Sequence, residues 1–131
     1  MKYAAFILLI VVVSCSKSTT INKTKVAGSI AGKWIQTGYL ADPGDGNGTW
    51  QTVPTEDGYI IFNEDSTAQS SSVPYYGELK FYHILSDSTL TLEDADGTIF
   101  PQMYKVEKNT LTLTGGCIEA CGSRYKRWPT I

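Results

Sequence analysis

The strongest constraint on this chain is an alternation of apolar and polar residues, repeated along much of its length and broken by turn formers. Leu79, Phe81, His83 and Leu85 alternate with Lys80, Tyr82 and Ile84. Leu90 and Leu92 alternate with Thr89 and Thr91, and Leu111 and Leu113 with Thr110, Thr112 and Thr114. Successive side chains of a strand point to opposite faces, so a period of two gives one buried face and one wet face. That is the pattern of an antiparallel sheet. Tyr59-Ile60-Ile61-Phe62 is aromatic and β-branched and stops at Asn63-Glu64-Asp65-Ser66. Ser86-Asp87-Ser88, Asp94-Ala95-Asp96-Gly97 and Lys108-Asn109 separate the later runs. Asp96-Gly97 predicts a two-residue hairpin, because Gly accepts positive φ without steric cost.

These signals recur about every 8 to 12 residues, and no helical period competes with them. Strands are expected at 33–40, 49–53, 58–63, 66–72, 77–85, 88–93, 98–106, 109–114 and 122–128. The short connections favour an all-β, up-and-down antiparallel barrel of about eight strands over a sandwich, and closure removes exposed strand edges. Pro101 falls inside one run, so that strand should be bulged or lightly paired there.

The first 27 residues follow a different rule. Residues 3–13 carry no charge and fall far short of the roughly 20 needed to span a bilayer, so they read as the core of an export signal. Residues 16–27 (SKSTTINKTKVA) are polar and without apolar period, which predicts a flexible tether that reaches at most about 40 Å. The expected organisation is a signal at 1–14, an anchor and tether at 15–27, and a barrel domain at 28–131.

Val12-Val13-Ser14-Cys15 resembles the bacterial lipobox, an aliphatic and a small residue directly before cysteine. The resemblance implies cleavage before Cys15 and lipidation of its thiol and new amino terminus. Several acyl chains would anchor the protein stably. Ser16, where inner-membrane retention would favour Asp, implies the outer membrane. Ser16-Lys17-Ser18, in place of the acidic run of surface-exposed lipoproteins of Bacteroidota, implies its periplasmic face.

Three groups of residues then carry a wider resemblance. Gly32-Lys33-Trp34 opens the first strand, as Gly-x-Trp does in lipocalins. Ile61-Phe62-Asn63-Glu64-Asp65-Ser66-Thr67 is similar to the F-x-x-D-G-T hairpin of lipocalin-like lipoproteins of Bacteroidota, with Ser66 where Gly is usual. The segment from Cys117 to Arg127 looks like their C-terminal segment. The likeness covers residues 28–128 and implies a small lipid-anchored barrel. It also implies that Trp34 packs under an arginine of the last strand, Arg127, or Arg124 in another register.

Eleven basic against thirteen acidic residues exclude a basic nucleic-acid footprint. Cys117 and Cys121 lie four apart in what would be an oxidising compartment. A redox pair would more usually be Cys-x-x-Cys, and no further thiol or nearby histidine completes a zinc shell, so a structural disulfide is expected. The Asp-rich stretches at 42–48 and 94–97 faintly resemble calcium loops but lack a completing bidentate Glu, and turn chemistry explains both. Asp65-Ser66-Thr67 and Asp87-Ser88-Thr89 fit a short O-glycosylation pattern and also ordinary hairpin composition. His83, the one histidine, has no nucleophile or acid placed beside it by spacing. No catalytic residue, metal or cofactor is expected.

Small eight-stranded barrels are packed solid or hold one small ligand. The thirteen aromatic residues after the signal suffice for either. The leading expectation is a carrier of a small hydrophobic or amphiphilic ligand, lined by Tyr39, Trp50, Phe62, Phe81, Tyr82 and Tyr104. The alternative is an envelope protein-interaction module that works through loops 41–58 and 72–78, with the barrel as scaffold.

Overall fold

The computed structural model describes residues 29–53, 58–71, 76–115 and 121–129. The expected signal, Cys15 and the tether lie outside the described residues. The described chain forms nine strands: β1 (Gly32–Ala41), β2 (Thr49–Thr52), β3 (Tyr59–Phe62), β4 (Ala68–Ser71), β5 (Leu79–Ile84), β6 (Thr89–Asp94), β7 (Ile99–Glu107), β8 (Thr110–Thr114) and β9 (Gly122–Arg127). They pair throughout as antiparallel neighbours in the order β4-β3-β1-β9-β8-β7-β6-β5, with β2 a short addition to β1. The ten residues of β1 divide their edge: Gly32–Ile35 pair with β3 and Gly38–Ala41 with β2.

The sheet curls until β4 meets β5, and this seam is thin. An isolated bridge joins Thr67 and Phe81, the Tyr82 N–H donates to the Ser66 carbonyl at 3.0 Å, and the Leu79 N–H donates to Ser70 Oγ at 3.2 Å. The result is a nearly closed up-and-down barrel of eight strands, with the ninth flaring beside it.

Strand directions alternate, so the barrel has two distinct ends. Gly32, Phe62, Ala68, Ile84, Thr89, Glu107, Thr110 and Arg127 lie at the end where the described chain enters, here called the N-terminal end. Thr49, Thr52, Tyr59, Ser71, Leu79, Asp94, Ile99, Thr114 and Gly122 lie at or toward the opposite, distal end.

The leucines of β6 and β8 point inward, as the period of two requires. Leu90, Leu92, Leu111 and Leu113 are fully buried with Trp34, Ile60 and Tyr125, and Ile30, Phe62, Ala68, Leu79 and Tyr82 complete the cluster. Each fully buried side chain of this size contributes about 1.5–3 kcal/mol relative to exposure.

The backbone revises two local expectations and selects between the alternatives of a third. The Asp96-Gly97 turn is a four-residue connection, 95–98, closed by a 3.1 Å bond from Asp94 N–H to the Thr98 carbonyl, with Gly97 at φ 81°. Asp94 Oδ1 accepts the N–H groups of Asp96 and Thr98, and those bonds hold the longer loop together. Pro101 keeps regular register with Thr91 and is not bulged; β8 makes its last β7 pair with Met103, so Pro101 is paired on one side only, the lightly paired position that is the other expectation. In β5 the register shifts between Leu79 and Phe81. Leu79 and Tyr82 are consequently the buried residues, and Phe81, His83 and Leu85 do not share the face of Leu79.

Candidate functional site

The interior is built from two strands that run side by side and carry polar residues where apolar ones would pack. On β9, Ser123, Tyr125 and Arg127 alternate inward, and Trp34 and Gln36 of β1 face them, Trp34 opposite Arg127 and Gln36 opposite Tyr125. A bulge between Gln36 and Gly38 shifts the alternation of β1, so Tyr39 comes opposite Ser123.

At the N-terminal end this arrangement makes a lid. The Arg127 guanidinium lies 4.1 Å from the Trp34 ring centre. Its Nη1 donates to the Ala31 carbonyl at 2.7 Å and its Nη2 to the Ser29 carbonyl, while Trp34 Nε1 donates to the Ile30 carbonyl at 2.7 Å. Residues 29–31 are thereby drawn across the barrel floor. Gly32 stands at φ 127°, and a Cβ there would sit 2.9 Å from Arg127 Nη1, so the glycine of Gly-x-Trp is what lets the guanidinium reach the indole. Arg124 stacks instead on Trp50, 3.8 Å from its ring centre, on the outer face.

Farther from this floor, buried polar groups accumulate. Gln102 accepts a 2.8 Å bond from the Tyr76 hydroxyl and donates through Nε2 to the Gly115 carbonyl at 3.0 Å. Gln36, Gln102, Ser123 and Asp94 are all buried. Two buried atoms have no hydrogen-bond partner among the described residues: Gln36 Nε2 and the Tyr125 hydroxyl. Burial pushes the Tyr125 hydroxyl well above the ordinary tyrosine range. The Ser123 side chain eases its ionisation slightly and Tyr76 opposes it, but neither completes a hydrogen bond within ordinary limits. A buried polar group left unpaired costs about 1–3 kcal/mol, so this pair is an expensive feature to keep in a core.

The six aromatics expected to line a ligand site are not brought together as one group. Phe62 and Tyr82 belong to the core, edge to face at 4.9 Å, with the Tyr82 hydroxyl donating to the Asn63 carbonyl. Tyr104 packs against that core, and its hydroxyl donates to the Ser86 carbonyl at 3.2 Å. Both hydroxyls thus point to the N-terminal end. Tyr39 is half-buried, on the face shared with Ser123 in the distal half. Trp50 lies beneath Arg124 on the outer face, and Phe81 stands outside the core cluster beside Lys80. Period-2 counting from Trp34 and back from Arg127 reaches Gln36, Tyr125 and Ser123 directly, which was the sequence signal for the polar group.

Cys121 precedes β9, and its expected partner Cys117 lies outside the described residues. His83 is exposed. Asp42 Oδ1 accepts the N–H groups of Gly44, Asp45 and Gly46, and Asp45 Oδ1 that of Asn47, so these carboxylates serve their own turn. No group of three or more His, Cys, Asp or Glu suited to a metal ion occurs among the described residues. No protein-family model and no curated protein matches this chain.

Proposed function

We propose that this is a lipocalin-like lipoprotein, anchored through lipidated Cys15 to the periplasmic face of the outer membrane, whose barrel binds a small amphiphile without chemical change. The observation that carries the binding reading is the unpaired pair of buried polar groups, Gln36 Nε2 and Tyr125 OH, at facing positions of β1 and β9. An amphiphile entering from the distal end would bring its acceptor group to these two donors and lay its apolar part against Tyr39, Tyr76 and Phe100. Arg127 stacked on Trp34 closes the N-terminal end, so the ligand enters from the distal end and sits shallow. Cys117 and Cys121 form a structural disulfide in this reading.

Native mass spectrometry of the full-length protein, extracted in mild detergent, tests the proposal by seeking a co-purified small molecule. Tyr125→Phe keeps the ring and removes the unpaired hydroxyl. It should raise the stability of the ligand-free protein by about 1 kcal/mol and weaken binding of the recovered molecule by roughly three- to tenfold. Recovery of no small molecule, together with a Tyr125→Phe protein no more stable than the parent, would overturn it. The densely filled core favours a second reading, a protein-interaction module, and a partner cross-linked to the segments 41–58 or 72–78 would support that instead.

A further inference from the structure

The described chain enters the barrel at Ser29, and that entry point is fixed: the Ser29, Ala31 and Ile30 carbonyls are held by Arg127 and Trp34. Whatever membrane anchor Cys15 carries is therefore connected to the N-terminal end. Of the five large apolar side chains most exposed on the described surface, three belong to this end. Ile84 (53% exposed) ends β5, Leu85 (66%) follows it, and Trp128 (43%) follows β9. β5 and β9 lie on opposite sides of the barrel, so these residues flank the end from two sides.

Charge is divided along the same axis. All thirteen acidic residues follow residue 28, whereas four of the eleven basic ones, including Lys17, Lys23 and Lys25, precede it. On the barrel, Lys33, Lys105, Lys108, Lys126 and Arg127 cluster toward the N-terminal end against Glu64, Asp65, Asp87 and Glu107. The distal end carries Asp42, Asp45, Glu78, Glu93, Asp94 and Asp96 against Lys80 and Arg124. A six-residue strand rises roughly 20 Å, about two Debye lengths at physiological salt, so the charge of the far end is screened from a surface touching the near one. Lys33 Nζ lies 5.0 Å from the Trp128 ring centre at this edge and 4.9 Å from that of Tyr59, which stands farther along the barrel wall. Trp and Tyr favour the headgroup level of a bilayer, and lysine stems lie along apolar surface while the ammonium stays in water.

We infer that the N-terminal end of the barrel is a membrane-contacting face. It rests on the bilayer that holds the Cys15 acyl chains, with Trp128 on one side and Ile84 and Leu85 on the other entering the headgroup region, and the distal end turned away. The inference rests on the lipid-anchor reading above. Residues 16–27 are long enough to hold the barrel clear, so the contact is made by these side chains and not imposed by a short leash.

The test uses the mature lipidated protein in phosphatidylethanolamine–phosphatidylglycerol vesicles, part of whose acyl chains carry bromine to quench nearby tryptophan. Emission should fall in brominated vesicles relative to plain ones. The loss should disappear in Trp128→Phe, persist in Trp50→Phe, and return when Leu85→Trp is added to Trp128→Phe. Protein that sediments with the vesicles and shows no quenching, or quenching that vanishes only in Trp50→Phe, overturns the contact and leaves the anchor standing. An unmodified Cys15 by intact mass, with protein left in the supernatant, overturns the anchor reading and the contact with it.

Discussion

Among the described residues two non-glycines hold positive φ, Ser66 at 70° and Lys108 at 53°, and both sit at tips of hairpins at the N-terminal end. The left-handed region crowds a Cβ against the following carbonyl at a cost of roughly 1 kcal/mol. Ser66 occupies it because its neighbours fix the turn: Asp65 Oδ1 accepts both the N–H and the hydroxyl of Thr67, at 3.0 and 2.7 Å. Those bonds hold the Asp65 carboxyl below its usual range. Ser66→Gly should therefore raise stability by about 0.5 kcal/mol, since relief of strain is partly offset by the freer unfolded chain. Chemical denaturation with an unchanged m-value checks this, and a destabilised variant would mean the turn needs the serine side chain. Trp34→Ala removes a fully buried indole together with its stacked guanidinium and should cost about 3–5 kcal/mol. A variant that lost ligand binding at unchanged melting temperature would contradict this structural role.

The strands were legible because alternation and turn chemistry agree, and the nine segments read from sequence fall within two residues of those observed. Which face of each strand points inward was less legible. Alternation fixes that two faces differ, but one bulge exchanges them, and bulges lie between Gln36 and Gly38 and between Leu79 and Phe81. Aromatic character then misleads: Trp50 and Phe81 look like pocket walls and stand outside the core, while Gln36 and Ser123 look like surface and are buried. The seam between β4 and β5 has a consequence of the same kind. Its Tyr82 and Leu79 amides are held across a single bridge and one serine hydroxyl, whereas β8 and β9 share five regular register pairs. In native-state hydrogen exchange the Leu79 amide should exchange through local opening and the Leu113 amide only through global unfolding. Equal protection of the two would show that the barrel opens nowhere before it unfolds as a whole.

At the scale of the whole molecule, the barrel sets its buried polar groups beside its leucines, Leu111 opposite Tyr125, Leu113 opposite Ser123 and Leu90 opposite Gln102, and its buried phenols make its stability depend on pH from the alkaline side. Burial raises Tyr125, and burial with nearby carboxylates raises Tyr82, beside Asp65 and Glu64, and Tyr104, beside Asp87. A group whose folded pKa exceeds its unfolded value binds its proton more tightly when folded. Its contribution is intact below the unfolded tyrosine value of about 10 and is lost as pH rises beyond it. The melting temperature should therefore hold steady through neutral pH and decline above about pH 10. Tyr125, the most deeply buried of the three, dominates the decline, and the partly exposed Tyr82 and Tyr104 contribute less because solvent screens them. Tyr125→Phe removes the largest ionisation while keeping the ring, so its alkaline decline should be shallower than that of the parent, whereas Tyr104→Phe should leave it nearly unchanged. Parallel declines for the parent and Tyr125→Phe would mean that lysine deprotonation, not the buried phenol, sets the alkaline limit of the fold.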